Sequence, residues 1–258
     1  MEVSLVIVAL NEEHNLERCV RSVPFADEVL VVDSGSTDAT VDLAESLGCR
    51  VLGHEFQGYS RQKQWALERA GCDWVLFLDA DEFLDEGMAG SIKRLLSSGP
   101  RHAGYTLPFK MLYMGRLMRF GPWLGERHLR LFKKKCAEYP DTPVHEGILL
   151  TSGTVGRLDG GYVVHESYKN IGIQVDKMRE YAALWAIEAR KAGTKPSIPN
   201  LLFRPLWRFF AGYVLKGGFL EGVPGLTASV MTSFYVFLKW LMLTEMNGSS
   251  SRDSEFRP

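Results

Sequence analysis

Residues 74–78, Trp-Val-Leu-Phe-Leu, lead straight into three carboxylates within four positions: Asp79, Asp81 and Glu82. Crowded carboxylates repel one another and lose hydration, so they cost stability unless a cation sits among them. The apolar run suits one buried strand, and acids at its end fall where open α/β sheets bind ligands. An oxygen-rich site with few protein ligands favours Mg2+ or Mn2+ bridging phosphates, with Asp79 and Asp81 as ligands. The plain alternative is an acidic loop after a strand. Asp33 ends an earlier apolar run, where it can accept hydrogen bonds from a base N–H or a ribose hydroxyl, or cap a helix. Further on, His145-Glu146 is an isolated polar pair between Asp141-Thr142-Pro143 and Ile148-Leu149-Leu150, and His165 closes the run Tyr162-Val163-Val164. Each also has an ordinary reading, as a solvated loop acid or a hydrogen-bonded structural histidine.

The elements that must position these groups follow from periodicity. Residues 3–10, 28–32, 50–52 and 74–78 read as strands. Residues 13–22, a segment with its apolar stripe at Val41, Leu43, Ala44 and Leu47, and residues 61–70 read as intervening helices. Ser36 or Thr37 is the expected cap of the second helix and Gly48 its stop. Strand and helix alternate at intervals suited to right-handed βαβ crossovers, which predicts an α/β fold with a mostly parallel sheet over the first ~100 residues. Residues 105–109, 128–132 and 162–165 read as later strands, and 170–192 as a long amphipathic helix. Residues 201–246 are strongly apolar and aromatic.

Composition narrows the function classes less than charge distribution does. The 258-residue chain carries a net charge of −1, yet residues 101–135 hold nine Lys/Arg against one acid, Glu126, so this segment carries +8 and the remainder −9. Such asymmetry points to an anionic partner. Tyr105, Tyr113, Phe120 and Trp123 interleave with those cations, a mixture that suits an anionic sugar or single-stranded nucleic acid. For Lys133, Lys134 and Lys135 a solvated basic face is the simpler reading. Four cysteines without metal or CxxC spacing fit a reduced, cytosolic setting. The first βα turn, Ala9-Leu10-Asn11-Glu12-Glu13, has no glycine, which argues against an NAD-type phosphate cradle.

Four stretches in order, Ala9-Leu10-Asn11-Glu12, Val31-Val32-Asp33-Ser34-Gly35-Ser36-Thr37-Asp38, Lys63-Gln64 and Phe77-Leu78-Asp79-Ala80-Asp81-Glu82, resemble the motifs of family-2 glycosyltransferases with the GT-A fold. The resemblance implies a nucleotide-sugar donor, with Asn11 and Glu12 lining the nucleotide pocket, Asp33 meeting the base and Asp79 near the ribose. It also implies that Asp81 ligates the metal, that His165 completes the metal site, and that Glu146 is the base deprotonating the acceptor in an inverting transfer. Where many members have Ala-Arg-Asn, this chain has Gln62-Lys63-Gln64. Lys63 as a nucleotide contact keeps the charge but not the planar fork.

The Val144-His145-Glu146 stretch and the segments Lys216-Gly217-Gly218-Phe219 and Glu221-Gly222-Val223-Pro224-Gly225 are similar to lipopolysaccharide-core glucosyltransferases. That likeness implies transfer of glucose from UDP-glucose to an inner-core heptose at the cytoplasmic face of the inner membrane. Arg119, Trp123, Arg127 and His145 are then the expected contacts to an anionic glycolipid acceptor, with no nucleic acid involved. A polyprenyl phosphate or a protein side chain is the alternative acceptor, and a basic nucleic-acid- or membrane-binding module the alternative outside enzymes. The expected organisation is a GT-A domain over 1–169, with a nucleotide-sugar half (1–97) and an acceptor half (98–169). A helical extension (170–246) and a disordered tail (247–258) complete it. Residues 201–210 mix aromatics with cations as interfacial helices do. Residues 226–243 are marginal for a bilayer span, so peripheral attachment is expected, with simple packing on the catalytic domain as its rival.

Overall fold

The computed structural model describes residues 1–140, 147–168 and 170–255. Two compact units emerge, one from residues 1–110 and 125–166, the other from 111–124 and 167–258.

In the first unit the apolar runs form strands β1 (Val3–Ala9), β2 (Glu28–Asp33), β3 (Arg50–Gly53) and β4 (Trp74–Asp79), separated by helices α1 (Leu16–Arg21), α2 (Thr40–Ser46) and α3 (Tyr59–Arg69). The parallel order β3-β2-β1-β4 is the expected crossover arrangement. Leu5, Ile7, Leu30, Val31, Leu76, Phe77 and Leu78 are fully buried, as strands covered on both faces require. β5 (Glu82–Leu84) and α4 (Glu86–Ser98) follow, Asp85 capping α4 by accepting the Met88 N–H at 2.7 Å. β6 (Gly104–Tyr113) begins in this unit, and after β7 (Arg116–Leu117) the chain returns as β8 (Arg127–Lys133), antiparallel to both β4 and β6. Short strands β9 (Ala137–Glu138) and β10 (Leu149–Leu150) pair with each other. β11 (Val155–Arg157) runs parallel to β6, and β12 (Val163–His165) antiparallel to β5.

One local expectation is corrected. Neither Ser36 nor Thr37 caps α2: the helix starts at Thr40 behind Ala39, with no side-chain cap. Ser36 instead donates to Asp33 Oδ1 at 2.5 Å, and the Thr37 N–H bonds Asn11 Oδ1 at 2.9 Å. The hydroxyl and amide that would have closed the helix are used to tie two loops together. Gly48 does end the turn, with φ of +77°.

The second unit is mainly helical: β7, then α5 (Ile171–Lys191), α6 (Ile198–Phe210) and α7 (Val223–Glu255). Asn170 and Ser197 cap α5 and α6. α7 packs against α5 through the Trp240–Trp185 ring contact and against α6 through the Ser233 hydroxyl, which donates to Pro205 O. Its stretch Val223–Asn247, of mean hydropathy 1.4, is long and apolar enough to cross a membrane by length and composition. Between α6 and α7 a π-helical turn (Ala211–Leu215) and a 3-10 turn (Gly218–Glu221) reverse the chain. Backbone meets backbone there: a Cβ on Gly225 would lie 1.9 Å from Gly218 O, and one on Gly218 would lie 2.8 Å from Gly212 O.

Candidate active site

The loop after β1 and the loop after β2 are built as one piece. Asn11 takes a left-handed backbone (φ 55°), unusual for a non-glycine residue and tolerated best by Asn or Asp. Its N–H donates to Ser36 Oγ at 2.9 Å, and the Glu12 N–H donates to Thr40 Oγ1 at 2.8 Å. Glu12 Oε2 in turn accepts from Asn15 Nδ2 at 2.6 Å. Asp33, buried at the end of β2, accepts the N–H groups of Gly35 and Ser36 and the Ser36 hydroxyl. Three acceptor positions are used of the roughly four a carboxylate offers, so the acid both shapes its turn and retains capacity for a ligand.

Register places the acids at one end of the sheet. Ala9 lies level with Asp33 and Val8 with Asp79, so the two acids flank β1, about two strand spacings (~10 Å) apart. The β5–β12 ladder sets His165 opposite Glu82, and the Glu166 N–H binds Asp81 O at 3.0 Å. His165 Nε2 thereby comes 3.4 Å from Asp81 Oδ1.

Asp79 keeps different company. Lys63, buried on α3, places Nζ 2.8 Å from Oδ1, and Arg130 on β8 places Nη2 3.1 Å from Oδ2. Arg130 Nη2 also donates to Glu82 Oε1, whose side chain is only 1% exposed. Burial alone would raise the Asp79 carboxyl, but the charges of Lys63 and Arg130 hold it well below the usual carboxylate range. Glu82 goes the other way: burial and the nearby Asp79 charge push it up against the pull of Arg130. Burial opposes a proton on His165, yet the Asp81 hydrogen bond and the surrounding acids raise its pKa.

Asp79, Asp81 and His165 therefore do not converge as three ligands, and among the described residues no group of three or more His, Cys, Asp or Glu is gathered to hold a metal. Asp81 and His165 remain as one carboxylate and one imidazole. That small donor set fits Mg2+ or Mn2+, which keep water and take phosphate oxygens as further ligands.

The flanking motif residues brace this end of the sheet. Gln62 donates to Ser34 Oγ and His54 O at 3.0 and 3.1 Å, and Gln64 Oε1 accepts the Tyr139 N–H at 2.9 Å. His128 on β8 rests edge-on against Phe109, ring centroids 4.6 Å apart. Loss of hydration and the positive charges of Arg130 and His165 pull its pKa down to about 4.

The remaining expected residues divide between the units. Arg127 belongs to the first, where Nη1 donates to Asp159 Oδ1 at 2.7 Å and Nη2 to the carbonyls of Thr106 and Leu158 at 3.0 and 2.9 Å. Arg119 and Trp123 belong to the second. Arg119 is exposed, while its N–H and that of Phe120 donate to Glu221 Oε1 at 2.7 and 3.0 Å. Trp123 packs against Tyr113, with centroids 5.2 Å apart. Lys216 closes the same loop by donating to Pro122 O and Leu124 O, both at 3.2 Å. His145 and Glu146 lie outside the described residues.

Sequence reasoning missed Arg130, Glu82 and Glu221. Glu82 carried a signal, since it belongs to the acidic run. Arg130 was hidden in a basic segment and Glu221 in an apolar tail.

Residues 4–111 match the glycosyl transferase family 2 model. The lipopolysaccharide core biosynthesis glycosyltransferase LpsC of Rhizobium meliloti is 30% identical over 92% of this chain and 90% of its own. An uncharacterised glycosyltransferase of Rickettsia typhi is 30% identical over 95% of this chain and 88% of its own. In architecture the chain is similar to glucosyl-3-phosphoglycerate synthase from Mycobacterium tuberculosis, crystallised with Mn2+, uridine diphosphate and phosphoglyceric acid. That likeness has a TM-score of 0.50 and 19% identity over 76% of this chain and 80% of that one. The mixed sheet flanked by helices is thus the expected GT-A fold, and with relatives matched nearly end to end, the chain is a glycosyltransferase and belongs to family 2.

Proposed function

We propose that the enzyme transfers a hexose, glucose from UDP-glucose, to a heptose of the lipopolysaccharide inner core with inversion. The observation that carries this reading is that Asp33 and Asp79 end β2 and β4 on either side of β1, with Asp81 following β4 in the chain and its partner His165 on β12. Similarity to LpsC supports the lipopolysaccharide acceptor, and the fold likeness to a synthase crystallised with Mn2+ and uridine diphosphate supports the donor and the divalent ion.

Asn11, Glu12 and Asp33 bind the nucleoside, Asp33 offering its remaining lone pair to the base. Asp81 and His165 hold the divalent cation, which when bound supplies positive charge to the departing diphosphate. Lys63 adds positive charge beside Asp79. Glu146 takes the acceptor proton, as required on the face away from the leaving group. Residues 1–97 carry the donor and 98–169 the acceptor on this reading, with Arg127 and His145 meeting the anionic glycolipid.

Membrane-surface attachment at the cytoplasmic face accompanies a lipid-borne acceptor. It is supported by the exposed Phe203, Leu206, Trp207 and Phe210 of α6 beside Arg204 and Arg208.

Hydrolysis of a panel of sugar nucleotides, with and without Mn2+, tests the donor reading. Turnover should be greatest with UDP-glucose and metal-dependent, and Asp81→Asn should lower it on the order of 100-fold or more. Silence across the panel, or full activity of the Asp81→Asn variant, would overturn it.

A further inference from the structure

Arg130 lies outside the four stretches that carry the family resemblance, yet it sits among the site's acids. Its side chain is 13% exposed. The hydrogen bonds of its guanidinium are unevenly spent. Nη2 donates to both Asp79 Oδ2 and Glu82 Oε1. Nε is buried without a partner, and among the described residues Nη1 makes no hydrogen bond either. Of the five N–H groups an arginine carries, three are therefore without a protein acceptor there.

The buried Nε–H is costly unless something accepts from it, whereas Nη1 is not buried in the same way and stays open to a ligand. Arg127, three residues earlier on the same strand, shows the contrast. Its Nε is also unpartnered, but both of its Nη atoms are committed, to Asp159 and to two backbone carbonyls. Arg130 retains a whole Nη1 amino group. The plane of its guanidinium is steadied by Phe109, whose ring centroid lies 5.4 Å from Cζ.

The chemistry of the missing acceptor follows from the neighbours. Asp79 and Glu82 face Lys63 and Arg130, so these acids are already matched by cations. A carboxylate or hydroxyl ligand would use one or two N–H groups. A diphosphate brings several acceptor oxygens and enough charge to use a delocalised cation held in place by acids behind it.

We propose that Arg130 binds the diphosphate of the nucleotide ligand directly, and that Asp79 and Glu82 are the positioning residues that aim it. This rests on the nucleotide-sugar reading above and adds to it a direct protein contact to phosphate, independent of the metal. Asp79 on this account acts through its two cations.

The test uses the full chain in chelator, so that metal contributes nothing, with UDP and uridine titrated by ligand-observed NMR. Arg130→Lys keeps the charge and the pairing with Asp79 and Glu82 but loses the planar donor set. It should weaken UDP about tenfold or more while leaving uridine within about twofold, with an unchanged thermal midpoint. Arg130→Gln should weaken UDP further. UDP affinity of Arg130→Lys within twofold of the parent, or equal losses for UDP and uridine, would show a structural role and overturn the proposal. A parent chain that binds UDP only when Mn2+ is restored would also overturn the proposal, whereas one that binds neither compound with or without Mn2+ would defeat the nucleotide reading itself.

Discussion

Each unit buries one glutamate almost completely, Glu82 at 1% and Glu221 at 2% side-chain exposure, and the two are held in opposite ways. Glu221 takes two backbone N–H groups, from Arg119 and Phe120, on Oε1, and the Arg116 Nε on Oε2 at 2.9 Å. Its donors are fixed by the chain, and no acid is among these partners. Glu82 takes one backbone N–H, from Asp79 at 3.1 Å, and one guanidinium that it shares with Asp79, while the charges of Asp79 and Asp81 push its pKa up after burial has already done so. A buried acid satisfied by backbone is architecture, because removing it strands donors that cannot turn elsewhere. A buried acid crowded by like charges and dependent on one side chain is held where folding alone gives little reason to hold it.

That contrast is open to attack in steps of decreasing size. Glu221→Ala should be the most damaging, because it strands two amides and frees Arg116. A loss of roughly 3 kcal/mol is expected in denaturant titration, with faster hydrogen exchange at the Arg119 and Phe120 amides. Glu28→Gln is a middle case, an acid in the first unit that also accepts from backbone. Its carboxylate takes the Gly71 N–H at 2.6 Å, the Ser4 hydroxyl and Arg50 Nη1 at 3.0 Å. Burial would raise its pKa, but those bonds lower it on balance. Its stabilisation is present above the unfolded value near 4.5 and disappears as pH falls through the lower folded value. The difference from Glu28→Gln, about 1–2 kcal/mol at pH 7, should accordingly vanish in acid melts. Glu82→Gln should be mildest, under about 1 kcal/mol, since losing the ion pair is offset by relief from Asp79 and Asp81. Its effect should fall on UDP affinity. A Glu82→Gln variant that unfolds more readily than Glu221→Ala would dissolve the distinction.

The parallel half of the fold was legible because its strands are compact apolar runs, closed by Asp33, Gly53 and Asp79 in β2, β3 and β4 and by Asn11 after β1. Runs covered on both faces, as β1, β2 and β4 are, need no distant partner to be recognised. Asn11, Asp33 and Asp81 were legible for the same reason, lying one to three residues beyond such runs. The charged segment 101–135 was legible only as a total. Its +8 reads as one anionic surface, yet Arg116 answers Glu221, Arg127 answers Asp159, Arg130 answers Asp79 and Glu82, and Lys134 donates to the carbonyls of Glu68 and Ala70. Those partners lie dozens of residues away or more, and no local period announces them. The alternation of β8 is further broken by an irregularity in its own ladder: Tyr105 and Thr106 of β6 lie level with Leu131 and Leu129, so Arg130 is the extra residue, and the two-residue rhythm that would have separated inward from outward cations is lost. Asp79 followed the same pattern: its place at a strand end was foreseen, but its two cations come from a helix and from a strand 51 residues on.

At Gly218 and Gly225 carbonyl oxygens occupy the volume where a side chain would begin, and at Gly212 the Pro122 ring lies 3.3 Å from that position. Residues 211–229 consequently behave as a single indivisible part for anyone recombining this enzyme with a relative. A crossover placed inside that stretch imports at least one mismatched neighbour, and one placed before Ile198 must carry residues 111–124 with it, because Glu221 and Lys216 bind Arg116, Arg119, Phe120, Pro122 and Leu124. Chimaeras that exchange 111–124 together with the chain from Ile198 on are the ones expected to express.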